Sequence, residues 1–296
     1  MNSDASRPPE SRPVAVVTGA SAGIGKAAAR MLAERGWHVI GIGRDPARCA
    51  QAEAELRAAA SPAGRIDFLR GDFTEMADVR RVAGEITALT ARLDVLINNA
   101  GGVRDQLYRT SEGLEATMAA NHFAPFVLTR LLLPLLKATA AAGAPGTVRV
   151  IATSSSGHEH CPGMHWDDLN MFASFTTGGV YCQAKLANIL FTRELDRRFA
   201  DAGITAQAMH PGRVASNFGN HGDEQMRSYM AAHADTQPDE AAATIVWLAT
   251  DPEGGRDGGR YFHAQAEVAP APQALDDAAA RRLWLESEAV LARIGS

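Results

Sequence analysis

Residues 13–25 read PVAVVTGASAGIG. The apolar run from Pro13 to Thr18 has the length of a buried strand, and it ends in glycine. Residues 23 to 34 then carry helical spacing, with Gly36 as a C-cap. Between strand and helix, Gly19, Gly23 and Gly25 let the backbone turn tightly and approach a pyrophosphate. The helix start around Ser21, Ala22 and Ile24 supplies N–H groups and positive potential to the same anion. The spacing is Gly-x-x-x-Gly-x-Gly, with no following Gly-Lys-Ser/Thr, which argues against a P-loop.

Outward from this turn, strand and helix patterns alternate. Strands are expected at 38–42, 66–69, 93–97, 147–152, 204–209 and 260–263. Helices are expected at 46–60, 76–91, 114–137, 179–200, 239–250 and 278–294. Several strands are apolar on both faces, the mark of a parallel sheet covered by helices on both sides. The fold class is therefore α/β: one Rossmann-type, doubly wound parallel sheet of about seven strands. Residues 1–12 are polar and proline-containing and read as a disordered tail, and 13–296 read as one dinucleotide-binding domain.

Bulk composition narrows the function. The net charge of −5 gives no footprint for nucleic acid. Three cysteines, Cys49, Cys161 and Cys182, lack CxxC spacing and point to a reducing compartment. No signal-peptide pattern opens the chain. The longest apolar stretch, near residues 123–136, is interrupted by Pro125, Thr129, Arg130 and Pro134, so a soluble cytoplasmic protein without membrane contact is expected.

The chain holds only three lysines, and Lys185 follows Tyr181 by four positions. Chance alone would give about 0.04 such pairs. On a helix the two share a face, and an ammonium beside a phenol lowers the phenol pKa, which makes the pair a candidate general acid/base. The alternative is a surface tyrosine and lysine. Asp72, after the third strand, is placed to accept from an adenine amino group, or else to cap a turn. Arg44 ends the second strand where a 2′-phosphate is accommodated in dinucleotide sites. No acid comes before Asp45, so NADP is favoured over NAD.

These motifs together resemble the short-chain dehydrogenase/reductase family. They are TGASAGIG (18–25), GDF (71–73), NNAG (98–101), Asn121, TSSS (153–156), YCQAK (181–185) and HPG (210–212). The resemblance spans nearly the whole chain. YCQAKLANILFTREL (181–195), GGRYF (258–262) and ARRLWLESEAVL (280–291) are similar to its retinol-dehydrogenase-like branch. It implies a tetrad of Asn121, Ser155, Tyr181 and Lys185, with Ser154 the alternative serine. It also implies dinucleotide contacts from Asp72, Phe73, Asn99, Ala100, Gly101, Tyr181, Lys185, Pro211, Gly212, Val214 and Ser216. Pairing into a dimer or tetramer would use the helix bearing Tyr181.

The expected reaction is hydride transfer between nicotinamide and a carbonyl/alcohol pair on a bulky apolar or aromatic substrate, run as a ketoreductase. A catalytically silent dinucleotide-binding sensor, or a dehydratase or epimerase of the same fold, are the other readings. The insertion at 157–180 is expected to build a substrate wall from His158, Met164, Trp166, Phe172 and Phe175, facing Phe218 in a lid region at 216–237; the alternative is that its aromatics only pack the loop. His158, His160 and His165 are clustered, but apart from Cys161 and Asp167 no matching acid or cysteine pattern accompanies them, so no metal is expected.

Overall fold

A computed structural model describes residues 12–215, 218 and 221–295. The strands β1 (Val14–Thr18), β2 (His38–Gly43), β3 (Arg65–Arg70), β4 (Val95–Asn98), β5 (Val148–Thr153), β6 (Ile204–Met209), β7 (Arg260–His263) and β8 (Ala266–Glu267) form one sheet. Its order is β3-β2-β1-β4-β5-β6-β7-β8. All pairings are parallel except β7 with β8. The expected sheet of about seven strands thus gains an antiparallel edge.

Every residue of β1, β2, β4 and β5 is buried, because helices cover both faces. On one face α1 (Gly23–Glu34) lays Ala27, Ala28, Ala29, Leu32 and Ala33 against the sheet. Small side chains let this helix approach the strands closely. The same face takes Leu56 of α2 (Pro46–Ala59). On the other face lie α3 (Met76–Leu89) and the segment that begins with α4 (Ala116–Met118). That segment continues through a π turn, Ala119–Phe123, into α5 (Ala124–Ala142). Pro125 has no N–H to offer the Asn121 carbonyl, so the ordinary ladder breaks, and Ala124 N–H bonds back to the Ala119 carbonyl instead.

Among the described residues, Ala116–Ala142 is the one helix long and apolar enough to cross a membrane. Here Phe123, Phe126, Leu128, Leu132 and Leu136 are fully buried in the core. Two further helices, α6 (Thr177–Phe199) and α9 (Asp277–Arg293), complete this layer. Trp284 of α9 stacks on Phe191 of α6 at 5.9 Å and meets Phe126 of α5 at 4.9 Å. The α9 helix therefore packs directly on α6, the helix that bears Tyr181. The remaining helices are α7 (Glu224–His233), within the region read as a lid, and α8 (Pro238–Thr250), which packs beside α1.

His122, in the π turn, is fully enclosed, and burial pushes its pKa down to about 3. The folded state refuses a proton that the unfolded chain accepts below about pH 6.5. Stability contributed by this neutral histidine is present above that pH and falls as pH drops toward 3. Between pH 6.5 and 5 the loss is about 2 kcal/mol. Urea denaturation at pH 7 and pH 5 measures it; His122→Gln, which takes no proton, is expected to show that much less acid loss.

Candidate active site

The strand order reverses between β1 and β4, where open parallel sheets carry their ligand crevice. A cavity of about 880 Å³ opens there, above the carboxyl ends of the strands. Its walls include Gly19, Ser21, Ala22, Gly23 and Ile24 of the first turn and Arg44, Asp72 and Phe73 beyond the next strands. Asn99, Ala100 and Gly101 follow β4, Ser155 follows β5, and Tyr181 and Lys185 come from α6. Pro211, Gly212, Val214 and Phe218 follow β6. Ser216 lies outside the described residues.

The first turn has the shape of a phosphate cradle. Gly19 and Gly23 take positive φ angles of 72° and 54°. A Cβ at Gly25 would overlap the Gly19 carbonyl oxygen and lie 2.5 Å from Asn99 Nδ2. The N-cap of α1 is Ala22, which has no side-chain acceptor for the first N–H groups. Thr18 Oγ1 accepts from the N–H groups of Asn99 (2.9 Å) and Ala100 (2.8 Å), and Asn99 Nδ2 donates to the Thr18 carbonyl (2.9 Å). The Asn99 side chain thus clips the β4 turn to the glycine turn. This role of Thr18 was not legible in sequence, because it depends on the β1–β4 adjacency.

At the reacting end, Ser155 stands beside the Tyr181 phenol and acts to lower its pKa. Lys185 Nζ stands 5.4 Å from the Tyr181 ring centroid and donates to the Thr153 carbonyl at 3.0 Å. The neighbouring Ser154 donates to the Lys185 carbonyl at 2.7 Å and is buried, so it stitches β5 to α6 and leaves Ser155 to face the phenol. Asn121 is brought to the same corner. Its Nδ2 donates to the carbonyls of Gly102 (2.8 Å) and Thr117 (2.7 Å), and its Oδ1 accepts from Gly102 N–H. A Cβ on Gly101 would overlap that Oδ1.

One electrostatic expectation reverses. Lys185 was expected to lower the Tyr181 pKa. Burial pushes Tyr181 up to about 12, against the lowering effect of Ser155. Burial also pushes Lys185 down to about 8. At neutral pH the phenol is protonated and the lysine still carries its charge.

At the opposite end, Asp72 Oδ1 accepts from Thr74 N–H and Oγ1, while Oδ2 lies 3.6 Å from Arg44. Arg48 and Arg104, which sequence reasoning missed, join Arg44 on the cavity wall. Burial, then Arg44, lowers the Arg104 pKa, and His221 is lowered by burial and by all three arginines. This is a concentrated cationic patch.

The expected substrate wall does not form. Among the described residues, His158, Met164, Trp166, Phe172 and Phe175 do not line the cavity. Met164 is buried in the core, with Phe175 packed against that core. Trp166 lies under Arg282, and Phe172 under Arg109 at 3.5 Å. Gln183 of α6 pins the insertion by accepting from His165 N–H and donating to the Leu169 carbonyl. His158 is fully buried and turned toward the Ser155 backbone. Phe218 does face the cavity, 5.0 Å from the Tyr181 ring. Cys182 and His160 also line the cavity, as do Met226, Tyr229 and Met230 from α7. For the α7 residues, the i, i+3, i+4 spacing was the signal available in sequence.

A family model described as "short chain dehydrogenase" matches residues 13–166. The chain belongs to the short-chain dehydrogenase family. It is 36% identical to retinol dehydrogenase 13 of Homo sapiens over 92% of this chain and 82% of that protein. It is 34% identical to polyprenol dehydrogenase of Mus musculus over 94% of this chain and 84% of that protein. The resemblance to the retinol-dehydrogenase-like branch is thereby borne out. Among solved structures, a Pseudomonas aeruginosa RhlG/NADP active-site complex superposes with a TM-score of 0.68 at 29% identity, covering 88% of this chain and 97% of that one. This short-chain dehydrogenase is an oxidoreductase, and its cleft fits a nicotinamide dinucleotide: a glycine cradle at one turn, cations at one end, and a tyrosine, serine and lysine at the other.

Proposed function

We propose that the enzyme is an NADP-dependent reductase of bulky, apolar or aromatic carbonyl compounds. The observation that carries this reading is the pairing of two ends in one cavity: Ser155, Tyr181 and Lys185 at one, Arg44, Arg48 and Arg104 at the other. A bound NADPH supplies hydride from its nicotinamide ring. The protein's part is acid catalysis and positioning. Tyr181, held protonated by burial, donates its proton to the carbonyl oxygen. Ser155 hydrogen-bonds the same oxygen and gains strength as negative charge builds there. Lys185, charged at pH 7, holds ribose hydroxyls and favours the phenolate left after proton transfer. A phenol that rests protonated suits reduction. The Met226, Tyr229, Met230 and Phe218 side chains give the substrate end an adaptable apolar wall, suited to a large flat molecule.

The test is NADPH oxidation against aromatic, polycyclic and retinoid ketones and aldehydes. Turnover with NADPH well above that with NADH is expected; a strong NADH preference would sink the cofactor reading. Arg44→Ala should raise KM for NADPH about tenfold, the loss of one charge-assisted hydrogen bond, and leave KM for NADH within about twofold. Steady-state kinetics with both cofactors checks this.

A further inference from the structure

His158 is the last residue but two of the polar turn that follows Ser155, inside the 3-10 turn Ser156–His160. Its ring is fully buried. Nδ1 lies 2.7 Å from the Ser155 carbonyl oxygen, and Nε2 lies 3.0 Å from the Ala271 backbone nitrogen. A carbonyl oxygen only accepts, and a backbone N–H only donates. The ring must therefore be neutral, with its proton on Nδ1. An imidazolium would face Ala271 with two donors and no acceptor. Gln273 reinforces the join by donating to the Cys161 carbonyl at 2.6 Å.

A second join lies on the other side of the site. His122 directly follows Asn121, and its Nε2 lies 2.7 Å from Ser287 Oγ of α9. Both groups are buried. One stretch of chain, 271–287, thus grips the turn behind Ser155 and the π turn of Asn121. Around His158 stand the Tyr261 ring from β7, edge-on at 5.2 Å, and Glu159 and His160 from its own turn. His210, after β6, lies 5.7 Å from Tyr261.

We infer that His158 is a positioning residue for Ser155, its ring held in place by the 271–273 segment. This rests on the proposed role of Ser155. The Ser155 backbone is extended, and its carbonyl anchor sets where the hydroxyl points. Displacement by an ångström at a reacting group costs about a hundredfold.

The experiment compares full-length His158→Leu, His158→Asn and Gln273→Ala. An asparagine amide can donate to the Ser155 carbonyl from the Nδ1 position but cannot reach Ala271. Expected for His158→Leu is a 10- to 100-fold fall in kcat with KM for NADPH within twofold. His158→Asn should recover most of it, and Gln273→Ala, which keeps both ring contacts, should lose a few-fold and serves if His158→Leu does not fold. The second readout is the 13Cζ signal of Tyr181, assigned by its loss in Tyr181→Phe. It reports the effect of Ser155 on the phenol without any substrate. It should move in His158→Leu and Gln273→Ala and return toward wild type in His158→Asn. Unchanged kcat and an unmoved Tyr181 signal in folded variants would overturn the inference, as would asparagine rescuing no better than leucine. If the wild type reduces no carbonyl tested, the proposed function fails, and the Tyr181 signal alone still decides this proposal.

Discussion

Tyr181→Phe is expected to reduce carbonyl substrates about a thousandfold more slowly than wild type, while binding NADPH with unchanged affinity. The substitution removes one oxygen and keeps the ring, so its packing against Phe218 at 5.0 Å survives. What disappears is the proton donor. Ser155 remains, but its hydroxyl is not acidic enough to deliver a proton to the developing alkoxide. Lys185 does not take its place, because its Nζ stands 5.4 Å from the ring centroid, beside the Thr153 carbonyl and not where the phenol oxygen meets the substrate. Fluorescence titration with NADPH and single-turnover reduction separate the two effects. A loss of NADPH binding equal to the loss of rate would mean the phenol serves binding and not proton transfer.

The second large effect belongs to the glycine turn. Gly25→Val should weaken NADPH binding more than about a hundredfold and lower the thermal midpoint, because overpacking a tight contact costs about 1–3 kcal/mol in stability alone. The new Cβ would overlap the Gly19 carbonyl oxygen and press Asn99 Nδ2 at 2.5 Å, breaking the clip that joins the β1 and β4 turns. Both turns line the dinucleotide cavity, so the damage falls on binding as well as on the fold. Gly84→Ala is the control: a Cβ there meets nothing within 4 Å, and a helical alanine should be neutral or slightly stabilising. NADPH titration and thermal melting of both variants provide the check.

Much of this molecule is legible in its sequence, for local reasons. The strand–turn–helix at 13–34 is carried by an apolar run, three glycines and an alanine-rich helical face, and β1 and α1 fall where these place them. Tyr181, Lys185 and Ser155 meet because a helix and a strand end each fix their own geometry. The parts that stayed hidden depend on contacts between distant segments. The β8 edge follows a turn at Ala264 and Gln265, both at positive φ without the glycine or asparagine that signals such a turn. Helix α7 buries no residue of its own, and its Met226, Tyr229 and Met230 stripe faces the cavity instead of the core, a destination that only the fold reveals. The aromatics of the 157–180 insertion looked like a substrate wall, yet Arg109, Arg282 and Gln183 draw them onto the protein instead. Arg48 and Arg104 look like ordinary loop and helix charges until the fold gathers them beside Arg44.

Electrostatics needed the structure for the same reason. Spacing put an ammonium near a phenol, but only the packing around them shows that burial raises Tyr181 to about 12 and lowers Lys185 to about 8. The protein alone therefore holds the proton on the tyrosine, ready to be given.

The most direct test follows hydride and proton together. Wild type and Tyr181→Phe are incubated with a bulky aromatic ketone and NADPH carrying deuterium at both nicotinamide C4 positions, and the alcohol is analysed by mass spectrometry. The account predicts one deuterium on the carbinol carbon with wild type and almost no alcohol with Tyr181→Phe. Alcohol formed at equal rates by both proteins, or product without deuterium, would contradict it.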